Sequence, residues 1–494
     1  MTQSLRPVPT LRGFLLNVGA LTLAKATLIL SQIVVLPIVA RYLSLEEFAL
    51  VAMAMTVVVF ANVLSDAGLG RSLVRAERYE EAEWSSVFWF LSVVGLGLAL
   101  AVVAIAPIWA WFLDQPELVP LLLALSVVPF LQAVSAVPIA EIERRERFSA
   151  IARAQIVTIV VSLGAAVGLA VAGFGAWALV AQQILLPLVR LLAIARLTRF
   201  RPRARFSWSR VRHHVGFGRD TLGVSLIFAI QSQAAVVAIG RALGEAPLAL
   251  FAMSDRLSRL PRTGVAGAFS RVIYVRMARV GGDRERLGDL YVASTRMLAL
   301  LIIPPMAMVA ASGDAMFTVL LSEKWAEAAT IFALAAPGVA LEVATSTGGN
   351  VFMASGRTGL RLRMVTERTV LWIATLSVAV QFGVEAVALA RSVWVVACMP
   401  RYWSYVGRCA DLDRRRCLAA IGPPTLVAAA FWALHATLAA ELQLSHLEEI
   451  VLAAVEIGLA MGLAAALMRK SLIWDLGRLR AWDPAAAAAE PVQG

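Results

Sequence analysis

The chain alternates between long apolar runs and short polar stretches, most of which carry arginine. A bilayer core of about 30 Å needs roughly 20 helical residues to cross it. Fourteen runs are long enough, near 15–40, 46–67, 86–113, 118–140, 151–172, 176–198, 216–240, 246–267, 291–312, 328–352, 366–383, 385–406, 418–440 and 449–469. The eighth is the least apolar, and only a narrow gap at 384 separates the eleventh from the twelfth. Backbone in lipid must satisfy its own hydrogen bonds, so runs of this length predict helices. The expected fold is therefore an all-α polytopic membrane protein with about 14 transmembrane helices.

The polar positions set an orientation. With Arg6 and Arg12 on the cytoplasmic side, 36 of the 45 Lys and Arg residues fall on that side. The outer loops keep only Arg41, Arg241 and Lys324, and six cations lie inside spans. Such an excess of inner-loop cations orients membrane proteins. It places both termini in the cytoplasm and the chain in the cell inner membrane. The first run is long and holds Lys25 and Pro37, unlike a cleaved leader. Outer loops are short, the largest being near 313–327.

Composition agrees with this reading. Apolar residues make up 60% and charged residues 16% of the chain, with a mean hydropathy of +0.77. Soluble domains carry about 25% charge. Three cysteines, an odd number, give no disulfide framework. A net charge of +12 could signal nucleic acid, but the arginines punctuate spans, so lipid is the expected surrounding and no nucleic acid the partner.

A repeat lies at an offset of 200. Segment 41–53 aligns without gaps on 241–253, pairing Arg41 with Arg241, Leu43 with Leu243, Ala49 with Ala249, Leu50 with Leu250, Ala52 with Ala252 and Met53 with Met253. Arg71 and Arg271 keep the register, and Pro129 echoes in Pro337. Both copies cover the turn between the first and second helix of a six-helix unit entered from the same side, a parallel repeat. The expected organisation is an N-lobe at 1–200 with helices 1–6, a basic cytoplasmic linker at 201–215, and a C-lobe at 216–406 with helices 7–12. Appended helices 13–14 follow at 407–470, then a cytoplasmic tail at 471–494 read as partly disordered. Paired bundles facing a midplane cavity are how secondary transporters alternate access.

Within 42–74, Tyr42, Leu43, Ser44, Glu47 and Phe48 form a Tyr-Leu-Ser-x-x-Glu-Phe turn, and Ser65, Asp66, Gly68, Leu69 and Gly70 close the second span. This stretch resembles the polysaccharide-transporter branch of the multidrug/oligosaccharidyl-lipid/polysaccharide exporter superfamily, the lipopolysaccharide, exopolysaccharide and O-antigen flippases. The resemblance implies a MATE-like fold of two parallel six-helix lobes and a cargo of undecaprenyl-diphosphate-linked oligosaccharide. The resemblance further implies polysaccharide polymerase and glycosyltransferases as partners of the same pathway.

Ionisable groups at membrane depth are costly and mark function. Lys25 lies near the middle of the first span; the eighth carries Asp255, Arg256, Arg259 and Arg262 in eight residues. The three arginines recur at i, i+3 and i+6, one helical face, and Pro261 is placed to kink it. Guanidinium forks bind phosphate in bidentate fashion. Lys25, Arg256, Arg259 and Arg262 are thus the candidate contacts for a diphosphate headgroup in a wet groove between the halves, the bland alternative being ion pairs across a helix interface. Asp66, Asp255 and Glu342 are candidates for charge pairing or ion coupling. Arg296 and Arg391, near span ends, read as snorkelling. Glu456 reads as local packing, and Trp84, Trp109, Trp111, Trp177 and Trp325 as an interfacial belt.

Enzyme chemistry finds little support. Asp411-Leu412-Asp413 imitates a sugar-nucleotide transferase motif but sits in a short arginine-rich loop. His213, His214, His435 and His446 make no ligand set and the cysteines lack Cys-x-x-Cys spacing, so neither metal nor cofactor is expected. The function expected is a flippase for a lipid-diphosphate-linked oligosaccharide working by alternating access. The alternatives are an ion-coupled drug/cation antiporter of the same fold and a non-transporting scaffold for glycan enzymes.

Overall fold

Wherever they are described, the apolar runs fold as helices in the computed structural model, which describes Thr27 and residues 35–481 except 67–68, 76–78 and 146. The helices are α1 (Leu45–Asp66), α2 (Leu69–Arg75), α3 (Glu81–Leu113), α4 (Leu118–Leu125), α5 (Val127–Arg144), α6 (Phe148–Val171), α7 (Ala176–Leu197), α8 (Trp208–Ala242) and α9 (Glu245–Ser258). There follow α10 (Gly267–Arg279), α11 (Arg284–Ala311), α12 (Gly313–Leu320), α13 (Glu327–Ala344), α14 (Gly348–Ala354), α15 (Thr358–Ala379), α16 (Val384–Gly407), α17 (Arg414–Leu442), α18 (His446–Leu467) and α19 (Arg469–Ala481). Among the described residues no strand occurs, and ten helical segments are long and apolar enough to cross a membrane. The eighth, eleventh and twelfth runs are helical but fall short of that length or apolarity. Of the first run only Thr27 and residues 35–40 are described, so Lys25 lies outside the described residues.

The chain divides into two compact units between Ala249 and Leu250. The repeat is visible to the residue. Helix breaks after 42 and after 242, and α1 and α9 restart at Leu45 and Glu245. Ala49, Leu50 and Met53 are buried in one copy, and Ala249, Leu250 and Met253 in the other. The two turns are closed differently. Ser44 and Glu47 cap reciprocally, the Ser44 N–H donating to Glu47 Oε2 at 2.8 Å and the Glu47 N–H to Ser44 Oγ at 3.1 Å. Gly244 instead adopts φ +88°, a left-handed conformation that favours glycine. α5 and α13 repeat the pattern, each running 18 residues from positions 127 and 327.

In the first unit, Trp84, Val87 and Leu91 of α3 pack with Ala133 and Val137 of α5 and with Phe200 from the segment after α7. Trp84 and Trp325 are fully buried, whereas Trp111 is 81% exposed. The aromatic belt therefore does not include Trp84 or Trp325; their rings fill the core. The basic segment after α7 is held against the acidic start of α3. Arg203 meets Glu81 at 2.7 Å, Arg210 meets Glu80 at 2.6 Å, and His214 Nε2 lies 3.0 Å from Glu83. Carboxylates suit that position because a helix N-terminus carries partial positive charge.

In the second unit, Val427 of α17 and Ala460 and Ala464 of α18 form a small core against Leu300 of α11. The stretch near 313–327, expected as a loop, is mostly helical. Its Phe317 is buried against Phe332, with ring centroids 5.9 Å apart. Arg296 does not snorkel. It is buried and ion-paired with Asp475 of α19, a helix that continues into the segment assigned to the tail.

Candidate functional site

The eighth span is not a uniform helix. α9 ends at Ser258, and immediately beyond Pro261 the residues Arg262–Ala266 form a π turn, in which the Gly267 N–H donates to the Arg262 carbonyl. A proline removes one donor and crowds the preceding turn, which favours such local rewinding. Single π turns of this kind concentrate at functional sites. The kink expected at Pro261 is therefore a change in helical winding.

Around it lies a charge cluster contained in the second unit. Asp255 pairs with Arg259 one turn later, Arg259 Nε donating to Asp255 Oδ2 at 2.7 Å. Arg262 meets Glu342 of α13 at 2.8 Å. Arg391 of α16 bridges the two acids, with Nη1 at 3.2 Å from Asp255 and Nη2 at 3.6 Å from Glu342. The order of contacts is Arg259, Asp255, Arg391, Glu342, Arg262. Arg256 stands apart, with no ion pair or hydrogen bond among the described residues. Arg368 of α15 has no carboxylate either; its guanidinium stacks 4.8 Å from the Trp394 ring centroid and 5.5 Å from that of Tyr402. The Nε atoms of Arg391 and Arg368 are buried without a hydrogen-bond acceptor.

Three guanidiniums thus share two carboxylates, and Arg256 and Arg368 add two cations that no described carboxylate pairs. The acids serve as pivots for Arg259, Arg262 and Arg391, and the remaining positive charge is unmatched inside the cluster. Such an arrangement can bind an oxyanion through forked donors held in place beforehand. An open groove of about 800 Å³ between α15 and α16, with Leu362, Val370, Leu371 and Cys398 in its wall, includes Arg368 and Tyr402 in its lining.

Of the residues singled out in the sequence, Arg259, Arg262, Asp255 and Glu342 are brought together, and Arg256 is their immediate neighbour in the chain. Asp66 ends α1, but its side chain lies outside the described residues, as does Lys25. Arg391 corrects its snorkelling assignment, since it links both half-buried acids. Arg368 was not singled out at all. A count of acids and arginines at membrane depth could have flagged Arg391, because two carboxylates so placed need several cationic partners.

Elsewhere the transferase-like aspartates are structural. Asp413 caps α17, accepting from the Arg415 N–H at 2.9 Å, and the Asp411 N–H donates to the Arg284 carbonyl at 2.8 Å. Among the described residues no group of His, Cys, Asp and Glu is arranged to hold a metal.

Residues 38–330 match the family described as "Polysaccharide biosynthesis protein". The chain is 32% identical over 322 residues to the succinoglycan biosynthesis transport protein ExoT of Rhizobium meliloti, a match spanning 65% of each protein. It is 24% identical over 383 residues to the teichuronic acid biosynthesis protein TuaB of Bacillus subtilis, covering 76% of this chain and 78% of that protein. Among solved structures, the lipid II flippase MurJ in an inward closed conformation superposes with a TM-score of 0.70 at 13% identity, covering 93% of this chain and all of that one. An inward-facing MATE-family multidrug transporter follows at 0.60 and 16% identity, covering 78% of this chain and 98% of that one. At such identities these two likenesses establish a shared MATE-like membrane fold. The match over 38–330 goes further, and with the turn at Tyr42–Phe48 inside it, the chain belongs to the polysaccharide biosynthesis protein family of integral membrane proteins.

Proposed function

We propose that this protein is a flippase that moves a lipid-diphosphate-linked oligosaccharide across the cytoplasmic membrane for surface polysaccharide assembly. It works by alternating access of its two lobes, with both termini in the cytoplasm. Arg256, Arg259 and Arg262 receive the diphosphate, and Lys25 contributes from the N-lobe. Asp255 and Glu342 hold the arginines in position and are the groups through which an ion could couple to transport, with Asp66 as their N-lobe counterpart. The observation that carries this reading is the charge balance: Arg259, Arg262 and Arg391 share Asp255 and Glu342, while Arg256 and Arg368 add cations without a described carboxylate partner. A drug/cation antiporter needs the opposite sign at its binding groups. The relatives named for succinoglycan and teichuronic acid synthesis support a glycan cargo; on this reading glycosyltransferases deliver it and a polymerase consumes it.

The test is the double substitution Arg256→Ala/Arg259→Ala in a strain lacking the native gene. Surface polysaccharide should be lost while membrane abundance of the protein stays normal. Undiminished polymer at normal abundance excludes this cluster as the headgroup site and returns the scaffold and antiporter readings to the front.

A further inference from the structure

We propose that His435, Glu449 and Glu456 form a proton-binding relay buried between α17 and α18, separate from the arginine cluster. His435 is 1% exposed and Glu456 2%. The imidazole lies between two carboxylates and faces each with a different nitrogen. Nδ1 is 2.6 Å from Glu456 Oε2, and Nε2 is 3.5 Å from Glu449 Oε1. His435 Nε2 and Glu456 Oε1 are both buried without a hydrogen-bond partner.

Position makes this costly unless protons bind. Glu456 is the eleventh of the 22 residues of α18, about 15 Å from either end at the rise of an α-helix. Glu449 lies seven residues, two turns, nearer the helix start and on the same face. An imidazolium with two carboxylates leaves a net negative charge, and a charge at that depth is expensive. One further proton removes it. Neighbouring elements do not supply a cation instead. On α11, Asp289 pairs with Arg416, and Arg296 pairs with Asp475 of α19. Asp314 of α12, Glu441, His446, Arg469 and Lys470 are exposed.

The ligand is a proton rather than a metal ion. A metal held by both an imidazole nitrogen and a carboxylate oxygen at about 2.0–2.2 Å would set those donors farther apart than the 2.6 Å between His435 and Glu456. The two ring nitrogens give the transfer a direction. With the further proton on Glu449, the imidazolium passes its Nδ1 proton to the Glu456 carboxylate. The imidazole is left neutral.

Dicyclohexylcarbodiimide, which reacts with protonated carboxyls in apolar surroundings, tests this on the purified full-length protein in lipid nanodiscs, with adducts located by mass spectrometry. The expected result is an adduct on Glu456 in acid that declines as the pH rises. Glu456→Gln should lose the adduct, and His435→Asn should move the midpoint while the protein elutes as wild type. A Glu456 peptide that is detected yet unmodified at every pH overturns the proposal. So does an adduct insensitive to both pH and His435→Asn, or protection by sodium at constant pH, which would make the site one for a metal cation. None of these readouts depends on the cargo carried, so failure here leaves the flippase reading standing, and the converse holds.

Discussion

Ser392 of α16 stands in the backbone ladder of α13 beside Gly338: its Oγ accepts the Gly338 N–H at 3.0 Å and donates to the Leu334 carbonyl at 2.6 Å. Pro337, which has no N–H, interrupts the ladder of α13 next to this point, and the serine hydroxyl bonds the adjoining Gly338 and Leu334 groups. The approach is close enough that a Cβ on Gly338 would lie 2.5 Å from Ser392 Cα. It also fixes the candidate site. Glu342 follows Gly338 by one helical turn, and Arg391 precedes Ser392, so the contact sets the two partners of the bridge face to face.

Gly338→Ala should therefore cost about 1–3 kcal/mol, as expected of overpacking against rigid backbone. Ser392→Ala should cost about 1–3 kcal/mol through unsatisfied buried groups. Both should lower the apparent melting temperature in detergent, followed by fluorescence-detected size exclusion. An unchanged melting temperature for Gly338→Ala would mean the helices are not in contact here.

The Arg262–Glu342 pair predicts a charge-swap rescue. Arg262→Glu alone sets a carboxylate beside Glu342, and Glu342→Arg alone sets two cations together. The double swap restores opposite charges and should recover part of the lost stability, with a coupling energy of about 0.5–3 kcal/mol in a double-mutant cycle. Additive losses would show the pair to be incidental.

How much of this was legible in the sequence follows from the range of each interaction. The repeat was readable to the residue, because the break at 43–44 and its copy at 243–244 are written in local composition. The arginines at 256, 259 and 262 stand out in the sequence for the same reason, but only Arg259 and Arg262 join the ion pairs. What joins them to α13 and α16 was not legible. Arg391 looks like a span-end cation until Ser392 is seen wedged into α13, and that contact spans 54 residues of chain. Trp84 and Trp325 misled in the same way, since a tryptophan at a span end can face lipid or core, and only packing decides.

The acidic start of α3 predicts salt-sensitive protection of the segment after α7. Its contacts, Glu80 with Arg210 and Glu81 with Arg203, are exposed on both sides. Such pairs contribute about 0–1 kcal/mol each and are screened by salt. Trypsin should cut at Arg201, Arg203 and Arg205 faster at high ionic strength, and Glu80→Gln/Glu81→Gln should give that faster rate already at low salt. Equal rates for variant and wild type at low salt would show that the Trp89 Nε1–H bond to the Arg203 carbonyl, at 2.8 Å, holds the segment unaided.

Alanine should destabilise both repeat turns, but for different reasons. Ser44→Ala removes a capping box and should cost about 0.5–2 kcal/mol, whereas Ser44→Gly should cost only a few tenths. Gly244→Ala puts a Cβ on a residue with φ +88° and should cost about 1 kcal/mol or more from backbone strain. Melting temperatures of the three variants check this. A harmless Gly244→Ala would mean that the second turn is held otherwise than by glycine.

Asp475 gives stability a pH dependence of defined sign. Burial raises its carboxyl above the usual aspartate value, while the paired Arg296 opposes the shift without cancelling it. The folded protein therefore binds this proton more tightly than the unfolded chain. The contribution is fully present below the ordinary aspartate pKa of about 3.9 and is lost as the pH rises through the higher folded value. Asp475→Asn copies the protonated form, keeps an oxygen for Arg296, and should flatten that part of the pH profile. Asp475→Ala should be worse, because among the described residues Arg296 Nη1 then retains only the Ser471 carbonyl as an acceptor. Melting temperatures of wild type and both variants between pH 4 and pH 8 decide the matter. Parallel profiles for wild type and Asp475→Asn would place the titration elsewhere in the molecule.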